Sequence, residues 1–451
     1  MTDFKRKKIS VIGAARSGLA AAIALKESGA IPFLSESKPV DKCDEAKTLL
    51  DKHGVDYEFG GHSGKVYDCD MMVTSPGVPA SSEILVAAGK QGIKIISELE
   101  LGYMMCKGKV LAITGSNGKT TTTSLVGEIF KHSSSRGVIA GNIGTPFAGV
   151  AATLGENDWA ILEVSTFQLE WIETFKPQVA TVLNITPDHL DRHGSMENYI
   201  ALKLRVFANQ NGTNKAVING DDPTIKDFHS LSETWMFSTK HKVETGCCIE
   251  EGNLILNRHG ESEKIIDVDS IGIKGPHNLS NACAAASCCA AAGIDIKAIA
   301  QGLRSFAGVE HRLERVGLIG GVSFINDSKA TNVDAVYWAL QSVFPPVVLI
   351  AGGRDKDSDF TTLRDLVREK VDSIVLIGEA TAKMEKAYGD ITTIYKADSM
   401  EEAVNLSYQH VKPNGTVLLS PACASFDMFD NYEHRGKVFK QAVHMLIKEK
   451  A

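Results

Sequence analysis

Short apolar runs, each followed by a helix-like stretch, recur along the whole chain of 451 residues. Many of these runs end in Gly, Ser, Thr or Asp, which is typical of strands that stop at a turn. The candidate strands form three groups: residues 8–12, 71–74 and 93–96; residues 109–114, 159–164 and 179–185; and residues 322–325, 347–351, 373–377 and 416–420. Strands that alternate with helices indicate an α/β fold with parallel sheets covered on both faces.

The length allows about three domains, at roughly 100 to 200 residues for each domain. The strand groups place the domain boundaries near residues 98 and 306, which gives domains at 1–98, 99–306 and 307–451. Ligands of parallel sheets bind beyond the carboxyl ends of the strands. The residues that follow each run are therefore the candidates for a functional site.

Composition excludes several other classes of protein. The chain has 48 Lys and Arg against 55 Asp and Glu, a net charge of −7, which argues against a general nucleic-acid binder. Its nine cysteines are scattered without a Cys-x-x-Cys pair, so a reducing cytosol fits better than a disulfide framework or a zinc site. Arg16 interrupts the only stretch that imitates a signal peptide, and the Ala-rich residues 282–294 are too short to span a membrane. We expect no stable membrane insertion.

The most specific local motif is a phosphate loop between an apolar strand and a helix. Backbone N–H groups in such a turn cradle phosphates, its lysine neutralises the outer phosphates, and the following hydroxyl reaches Mg²⁺. The loop departs from the general form because Ile113 stands where the first glycine is expected. Its residues are Gly115, Ser116, Asn117, Gly118, Lys119, Thr120 and Thr121.

Polar residues follow the next two candidate strands. Glu163 ends the strand after the phosphate loop, where its carboxylate could hold the same Mg²⁺ as Thr120. An isolated glutamate at such a position is more often solvated or paired with a cation, and its place in the fold favours the metal. The turn after residue 185 is rich in Asp and His. Asp188, Asp191 and His193 fit a capped turn, and His189 remains a candidate ligand.

The first and last segments carry weaker motifs. Residues 11–18 resemble a dinucleotide-binding turn with Ala15 at the middle glycine, and Glu36 is the acidic residue expected further on. This pattern supports a nucleoside diphosphate more than NAD. In the last segment, residues 311–312, 327–332, 352–356 and 420–425 follow or flank strands. Three of the four supply cations. Each alone fits a salt bridge or a helix cap equally well, but together they favour a functional role.

The motifs, taken in order, resemble those of the Mur ligase family over essentially the whole chain. They are Thr114-Gly-Ser-Asn-Gly-Lys-Thr-Thr121, Gly141-Asn-Ile-Gly144, Asn184-Ile-Thr-Pro-Asp-His-Leu-Asp-Arg-His193, His277-Asn278, His311-Arg312 and Asn326-Asp-Ser-Lys-Ala-Thr-Asn332. This family consists of ATP-dependent amide-bond ligases that extend the bacterial peptidoglycan precursor. The short phosphate loop is the form that this family uses.

Three strings resemble the D-glutamate-adding members of the family: Ser75-Pro-Gly-Val78, Ser165-Thr-Phe-Gln-Leu-Glu170 and Leu419-Ser-Pro-Ala-Cys-Ala-Ser-Phe-Asp427. The resemblance implies ligation of D-glutamate to UDP-N-acetylmuramoyl-L-alanine through an acyl phosphate and a tetrahedral intermediate. It implies ATP and two Mg²⁺ ions as cofactors, and a monomer in the bacterial cytoplasm. It also implies a Rossmann-like domain for the UDP-substrate, a central phosphate-loop ATPase-type domain and a Rossmann-like domain for the amino acid.

Carried over by position, the catalytic residues implied by the resemblance are Lys119, Asn142, Glu163, His189 and Lys203. The implied metal ligands are Thr120, Glu163, His189 and Lys203, with Lys203 carbamylated on its amine. Residue type alone predicts that Lys203 is a solvated helix residue. Its role therefore comes from the resemblance.

The implied contacts of each substrate are a longer set. Beyond the phosphate loop, those of ATP are Asn278, Asn281, Arg312, Asp327 and Lys329. Those of the UDP-substrate are Arg16, Ser17, Glu36, Ser37, Lys38, Ser75, Gly77, Asn142, Ser165 and Gln168. Those of D-glutamate are His189, Thr331, Lys356, Ser425, Phe426 and Tyr432, the last at a position where phenylalanine is common.

Two other functions remain open. A folate polyglutamate ligase would share the phosphate loop and the carbamylated lysine, but residues 420–427 argue against it. A phosphate-loop NTPase without ligase activity would hydrolyse nucleotide whether or not an amino acid is present.

Overall fold

The computed structural model describes residues 2–188 and 190–450. Its first sheet has five parallel strands in the order β3-β2-β1-β4-β5. The strands are β1 (Lys8–Ile12), β2 (Ile31–Glu36), β3 (Asp56–Phe59), β4 (Met71–Thr74) and β5 (Lys94–Ser97). The helices of this part are α1 (Arg16–Glu27), α2 (Asp44–His53), α3 (Glu83–Lys90) and α4 (Glu98–Met105).

The second sheet has nine strands in the order β14-β13-β12-β11-β10-β9-β6-β8-β7. They are β6 (Lys109–Thr114), β7 (Gly137–Gly141), β8 (Trp159–Glu163), β9 (Val179–Val182), β10 (Lys215–Asn219), β11 (Glu233–Ser238), β12 (Gly246–Glu250), β13 (Asn253–Arg258) and β14 (Glu261–Asp267). The helices are α5 (Lys119–Lys131), α6 (Ala148–Ala151), α7 (Thr166–Leu169), α8 (Leu190–His193), α9 (Met196–Leu204), α10 (Pro276–Ala291) and α11 (Ile296–Ser305).

The third sheet has six strands in the order β15-β16-β20-β17-β18-β19. They are β15 (Glu314–Ile319), β16 (Val322–Asn326), β17 (Val347–Gly352), β18 (Val371–Ile377), β19 (Thr393–Lys396) and β20 (Thr416–Ala422). The helices are α12 (Val333–Ser342), α13 (Arg364–Lys370), α14 (Thr381–Tyr388), α15 (Met400–His410) and α16 (Tyr432–Lys450).

The chain forms two compact units. One contains the first two sheets and spans Met1–Ile271 and Ser280–Phe306, and the other contains the third sheet and spans Gly272–Leu279 and Ala307–Ala451. In the first unit one apolar core runs from β1 to β10 and includes Leu99 and Phe147. Gly102 of α4 allows this packing, because a Cβ there would lie 2.6 Å from the Phe147 ring.

The predicted strands are confirmed, and the α/β fold with three sheets agrees with the sequence analysis. Strands predicted at 8–12, 71–74 and 109–114 have the observed bounds, and the others differ by a few residues at their ends. The antiparallel pairs β12–β13, β13–β14 and β15–β16 were not predicted. They lie at sheet edges, where alternation of side chains is a weaker pattern than a buried apolar run. Within the described residues, no helix is long and apolar enough to span a membrane.

Candidate functional site

The phosphate loop joins β6 to α5 and is held by the segment that follows the neighbouring strand β9. The Asn117 N–H donates to Asn184 Oδ1 at 2.8 Å, and Asn184 Nδ2 donates back to the Asn117 carbonyl at 3.0 Å. Gly118 is left-handed at φ +83, and a Cβ there would lie 2.3 Å from Asn281 Oδ1. Lys119 Nζ donates to the carbonyls of Gly115 and Ser116 at 2.8 and 2.7 Å. The loop therefore has a fixed shape with its lysine folded over it.

Glu163 lies beside this loop because β8 pairs with β6, with Glu163 opposite Ile113. Its side chain is only 2% exposed. Oε1 accepts a hydrogen bond from Asn142 Nδ2 at 2.9 Å, whereas Oε2 is buried with no hydrogen-bond partner in the described part of the chain. A buried carboxylate oxygen without a partner is costly, and a divalent cation would satisfy it. With the Thr120 hydroxyl, this donor set fits Mg²⁺.

Lys203 is buried, and the expectation from residue type of a solvated side chain is wrong. It is 2% exposed on α9, which packs its inner face against the phosphate loop. Its Nζ donates to the Gly115 carbonyl at 2.8 Å and lies 4.5 Å from the centroid of the Tyr199 ring. Burial and the nearby charge of Lys119 lower the pKa of Lys203 well below its usual value, and Asp188 opposes this effect.

His193 and His189 both belong to the turn after β9, and the structure describes only the first of them. His193 is buried, where Nε2 lies 3.0 Å from Thr166 Oγ1 and the ring stacks on Phe167. This packing agrees with the interpretation of His193 as part of a capped turn. His189, the predicted metal ligand and D-glutamate contact, lies outside the described residues.

A cleft of about 710 Å³ lies in the same unit, between the first two sheets. Most residues predicted to contact the UDP-substrate line it: Arg16, Ser17, Glu36, Ser37, Lys38, Ser75, Gly77, Asn142 and Gln168. Ser165 does not line the cleft. Its hydroxyl caps α7 and donates to Gln168 Oε1 at 3.1 Å, so it fixes the side chain of a lining residue.

Glu36 holds the turn that follows β1. Its carboxylate accepts the N–H of Ala14 at 2.8 Å and the N–H of Lys38 at 3.0 Å. Although burial opposes the effect, these hydrogen bonds and that from Ser37 lower the pKa of Glu36. The carboxylate therefore remains ionised at neutral pH and shapes the rim of the cleft.

No motif in the sequence indicates the buried carboxyl group of Glu98, which lies behind this cleft. Glu98 begins α4 and is 0% exposed. Its Oε1 accepts the Ala148 N–H at 2.7 Å, and its Oε2 has no hydrogen-bond partner among the described residues. Burial raises the pKa of Glu98 to about 7, against the effect of the Ala148 N–H, the Gln168 amide and the Phe147 N–H. Glu98 thus holds the start of α6 through the Ala148 N–H.

The second unit places its predicted residues at the carboxyl ends of the adjacent strands β16, β20 and β17. Asp327 follows β16 and accepts the Ser420 hydroxyl at 2.9 Å and the Leu313 N–H at 3.2 Å. Burial raises the pKa of Asp327 to about 6, and the charge of Arg312 opposes it most strongly. Arg312 lies between two left-handed residues, and its Nε is buried without a hydrogen-bond partner in the described chain.

Apart from His189, the residues predicted to contact D-glutamate lie in the second unit, most of them in the loops that follow the same strands. Thr331 donates its N–H to the Lys329 carbonyl at 2.9 Å, and Lys329 Nζ lies 5.2 Å from the Tyr432 ring centroid. Ser425 is buried. Lys356 is exposed, and Phe426 is 64% exposed.

Arg435 was also missed by sequence analysis. It is fully buried on α16, and its guanidinium donates to the Ser328 hydroxyl and carbonyl and to the Cys423 carbonyl at 2.8 to 3.1 Å. These contacts tie the loop after β16 to the loop after β20.

Of the asparagines predicted to contact ATP, Asn281 accepts the Thr122 hydroxyl at 3.3 Å, and Asn278 donates to the Lys274 carbonyl at 2.9 Å.

Comparisons with known proteins cover nearly the whole chain. Residues 8–84 match the MurD N-terminal domain, residues 113–289 the Mur ligase middle domain, and residues 311–423 the Mur ligase, glutamate ligase domain. The chain is 44% identical to the UDP-N-acetylmuramoylalanine–D-glutamate ligase of Pelotomaculum thermopropionicum, covering 99% of the chain and 100% of the relative. It is 43% identical to the ligase of that name from Chloroherpeton thalassium, covering 98% of each.

A solved structure shows the same fold at lower identity. The UDP-N-acetylmuramate-alanine ligase of Thermotoga maritima superposes with a TM-score of 0.61 at 20% identity, covering 99% of this chain and 100% of that one.

Proposed function

The chain belongs to the Mur ligase family, and on this premise we propose that it joins D-glutamate to UDP-N-acetylmuramoyl-L-alanine in bacterial peptidoglycan precursor synthesis, using ATP. The observation that carries this function is the identity of 43 to 44% over essentially the full length with ligases of that name. Two strings that resemble the D-glutamate-adding members support the proposal: residues 165–170, of which Gln168 lines the cleft, and residues 419–427.

A carboxylate is a poor acyl donor, so the reaction needs activation before an amide can form. The γ-phosphate of ATP passes to the L-alanyl carboxylate, which gives an acyl phosphate and ADP. The amine of D-glutamate then attacks the acyl carbon, and the tetrahedral intermediate collapses to the amide and inorganic phosphate. Lys119 neutralises phosphate charge, and the phosphate loop orients ATP toward the carboxylate.

Thr120 and Glu163 would hold one Mg²⁺ ion, since Glu163 Oε2 is buried without another described partner. Bound there, the ion supplies positive charge to the transferred phosphoryl group. His189 and Lys203 would hold a second ion. Asn142 orients Glu163 through the hydrogen bond to Oε1.

Carbamylation would turn Lys203 into such a ligand. The ammonium group first loses a proton, and the neutral amine then combines with CO₂ to give a carbamate and a second proton, so that an anion replaces a buried cation. Lys203 is buried beside Lys119, so two ammonium groups would repel each other there. Carbamylation removes the positive charge of Lys203 and with it this repulsion. Because the carbamate is an anion that resembles a carboxylate, a carbamylated lysine can serve where a carboxylate ligand is needed.

Each substrate has its own set of proposed contacts. The cleft of the first unit would bind the UDP-substrate, with Asn142 and Gln168 toward the muramoyl group. Arg312, Asp327, Lys329 and the two asparagines would contact ATP, and Thr331, Lys356, Ser425, Phe426 and Tyr432 would contact D-glutamate. Because both substrates of the activation step are cytoplasmic nucleotides, we infer that the reaction takes place in the cytoplasm. We also expect the enzyme to be a monomer.

The test is release of phosphate from ATP with Mg²⁺ and UDP-N-acetylmuramoyl-L-alanine. D-glutamate, L-glutamate, L-lysine, glycine and no amino acid are compared, and the amide product is identified by mass. Release with D-glutamate alone is expected. Release without any amino acid would indicate an NTPase, and activity only with folate substrates would indicate a folate polyglutamate ligase.

A further inference from the structure

Arg192 connects the segment after β9 with the cleft loop, defined here as residues 75–78 between β4 and α3. Its Nη1 donates to the Pro76 carbonyl at 2.9 Å and its Nη2 to the Val78 carbonyl at 3.2 Å. The guanidinium carbon lies 3.9 Å from the centroid of the Phe167 ring, and Nη2 lies 3.5 Å from Glu170 Oε2. One side chain therefore holds two carbonyls of the cleft loop while it stacks on α7.

The cleft loop forms one wall of the substrate cleft. All four of its residues line the cleft, whereas Arg192 does not. The loop packs closely on the turn after β1, because a Cβ at Gly13 would lie 2.9 Å from Ser75 Oγ. A shift of the loop away from the second sheet would change the shape of the cleft without removing any lining side chain.

We propose that Arg192 is a positioning residue that fixes the cleft loop against the second sheet and so sets the affinity for the UDP-substrate. The proposal rests on the proposed function for the identity of that substrate. A planar guanidinium can donate to two carbonyls and stack on a ring at the same time. A lysine ammonium keeps the charge but cannot donate to both carbonyls while it stacks on the ring. The affinity for the UDP-substrate should therefore depend on the geometry of the guanidinium and not on its charge alone.

Arg205 provides a matched control. It lies in the same unit, and its Nη1 and Nη2 donate to the carbonyls of Glu170 and Ile172 at 3.0 and 2.7 Å. It thus makes the same type of fork, but to a segment that does not line the cleft. Replacement of Arg205 by lysine reports the general cost of losing such a fork.

The experiment compares the full-length wild type with Arg192→Lys and Arg205→Lys. Binding of UDP-N-acetylmuramoyl-L-alanine is measured by calorimetry without ATP, and KM and kcat are measured for all three substrates. We expect Arg192→Lys to weaken binding of the UDP-substrate about tenfold, and to raise its KM similarly. The kcat and the KM values for ATP and D-glutamate should stay within about twofold. Arg205→Lys should leave the binding of the UDP-substrate unchanged.

Equal binding by wild type and Arg192→Lys would overturn the proposal. An equal loss of affinity for the UDP-substrate in Arg205→Lys would also overturn it, as would a parallel rise in all three KM values. Each of these results would show that Arg192 has a structural role only. Phe167→Leu removes the stacking surface and should reproduce part of the loss, less than additively with Arg192→Lys. Failure of the proposed function would appear in the wild type as the absence of D-glutamate-dependent phosphate release, before any variant is compared.

Discussion

Glu98 should make the stability of the first unit depend on pH in a direction opposite to that of most carboxylates. Burial raises the pKa of Glu98 to about 7, from 4.5 for an unburied glutamate. A carboxyl group whose pKa is higher in the folded state takes up a proton on folding. Its contribution to stability is therefore fully present below pH 4.5 and is lost as the pH rises through 7.

The magnitude follows from the two pKa values. A difference of about 2.5 in pKa, at about 1.4 kcal/mol for each unit, corresponds to about 3 kcal/mol in total. Of this, about 2.5 kcal/mol falls between pH 5 and pH 8. Glu98→Gln keeps the acceptor for the Ala148 N–H and removes the ionisation. The variant should therefore gain about 2.5 kcal/mol in stability relative to the wild type between pH 5 and pH 8.

The assay is urea unfolding followed by tryptophan fluorescence at a series of pH values. Trp159, Trp171 and Trp235 lie in the unit that contains Glu98, so its unfolding dominates the signal. Glu83→Gln, which removes an exposed carboxylate from the start of α3, controls for the loss of one charge. If the free energies of unfolding of the wild type and Glu98→Gln differ by the same amount at pH 5 and pH 8, the reasoning is refuted.

Three further predictions concern the site and the core. Lys203→Ala should abolish most activity, and short carboxylates should restore part of it if a carbamate is the ligand; wild-type turnover in this variant would remove Lys203 from the mechanism. Glu163→Gln should weaken Mg²⁺-dependent turnover at least tenfold while ATP binding without metal, measured by calorimetry, is retained; equal loss of both would indicate misfolding of the loop. Gly102→Ala should lower the unfolding free energy by about 1 to 3 kcal/mol, because its Cβ would overlap the Phe147 ring; an unchanged urea midpoint would contradict this.

Much of the architecture could be predicted from the sequence because its elements are local. A buried parallel strand is a short continuous apolar run, and β1, β4 and β6 have the predicted bounds. The phosphate loop is also local, since strand, turn, lysine and helix are contiguous. Glu163 could be placed near it only because parallel strands end at the same edge of a sheet.

Contacts between distant elements could not be predicted in this way. Lys203, Glu98 and Arg192 each have an ordinary surface residue type in a helix, and nothing in their neighbours along the chain indicates burial. α9 carries Lys203 under the phosphate loop, 88 residues away from Gly115. Arg192 contacts carbonyls 114 and 116 residues away.

The sequence by itself therefore determined the α/β elements, the phosphate loop and, through its motifs, the resemblance to a ligase family. The tertiary structure alone decided which charged side chains lose their water and which loops they hold. The physical reason is that a pKa, a partnerless carboxylate oxygen or a guanidinium fork depends on groups brought together in space. Helix and strand periodicity specify which face of an element is buried, but not which distant residue it meets.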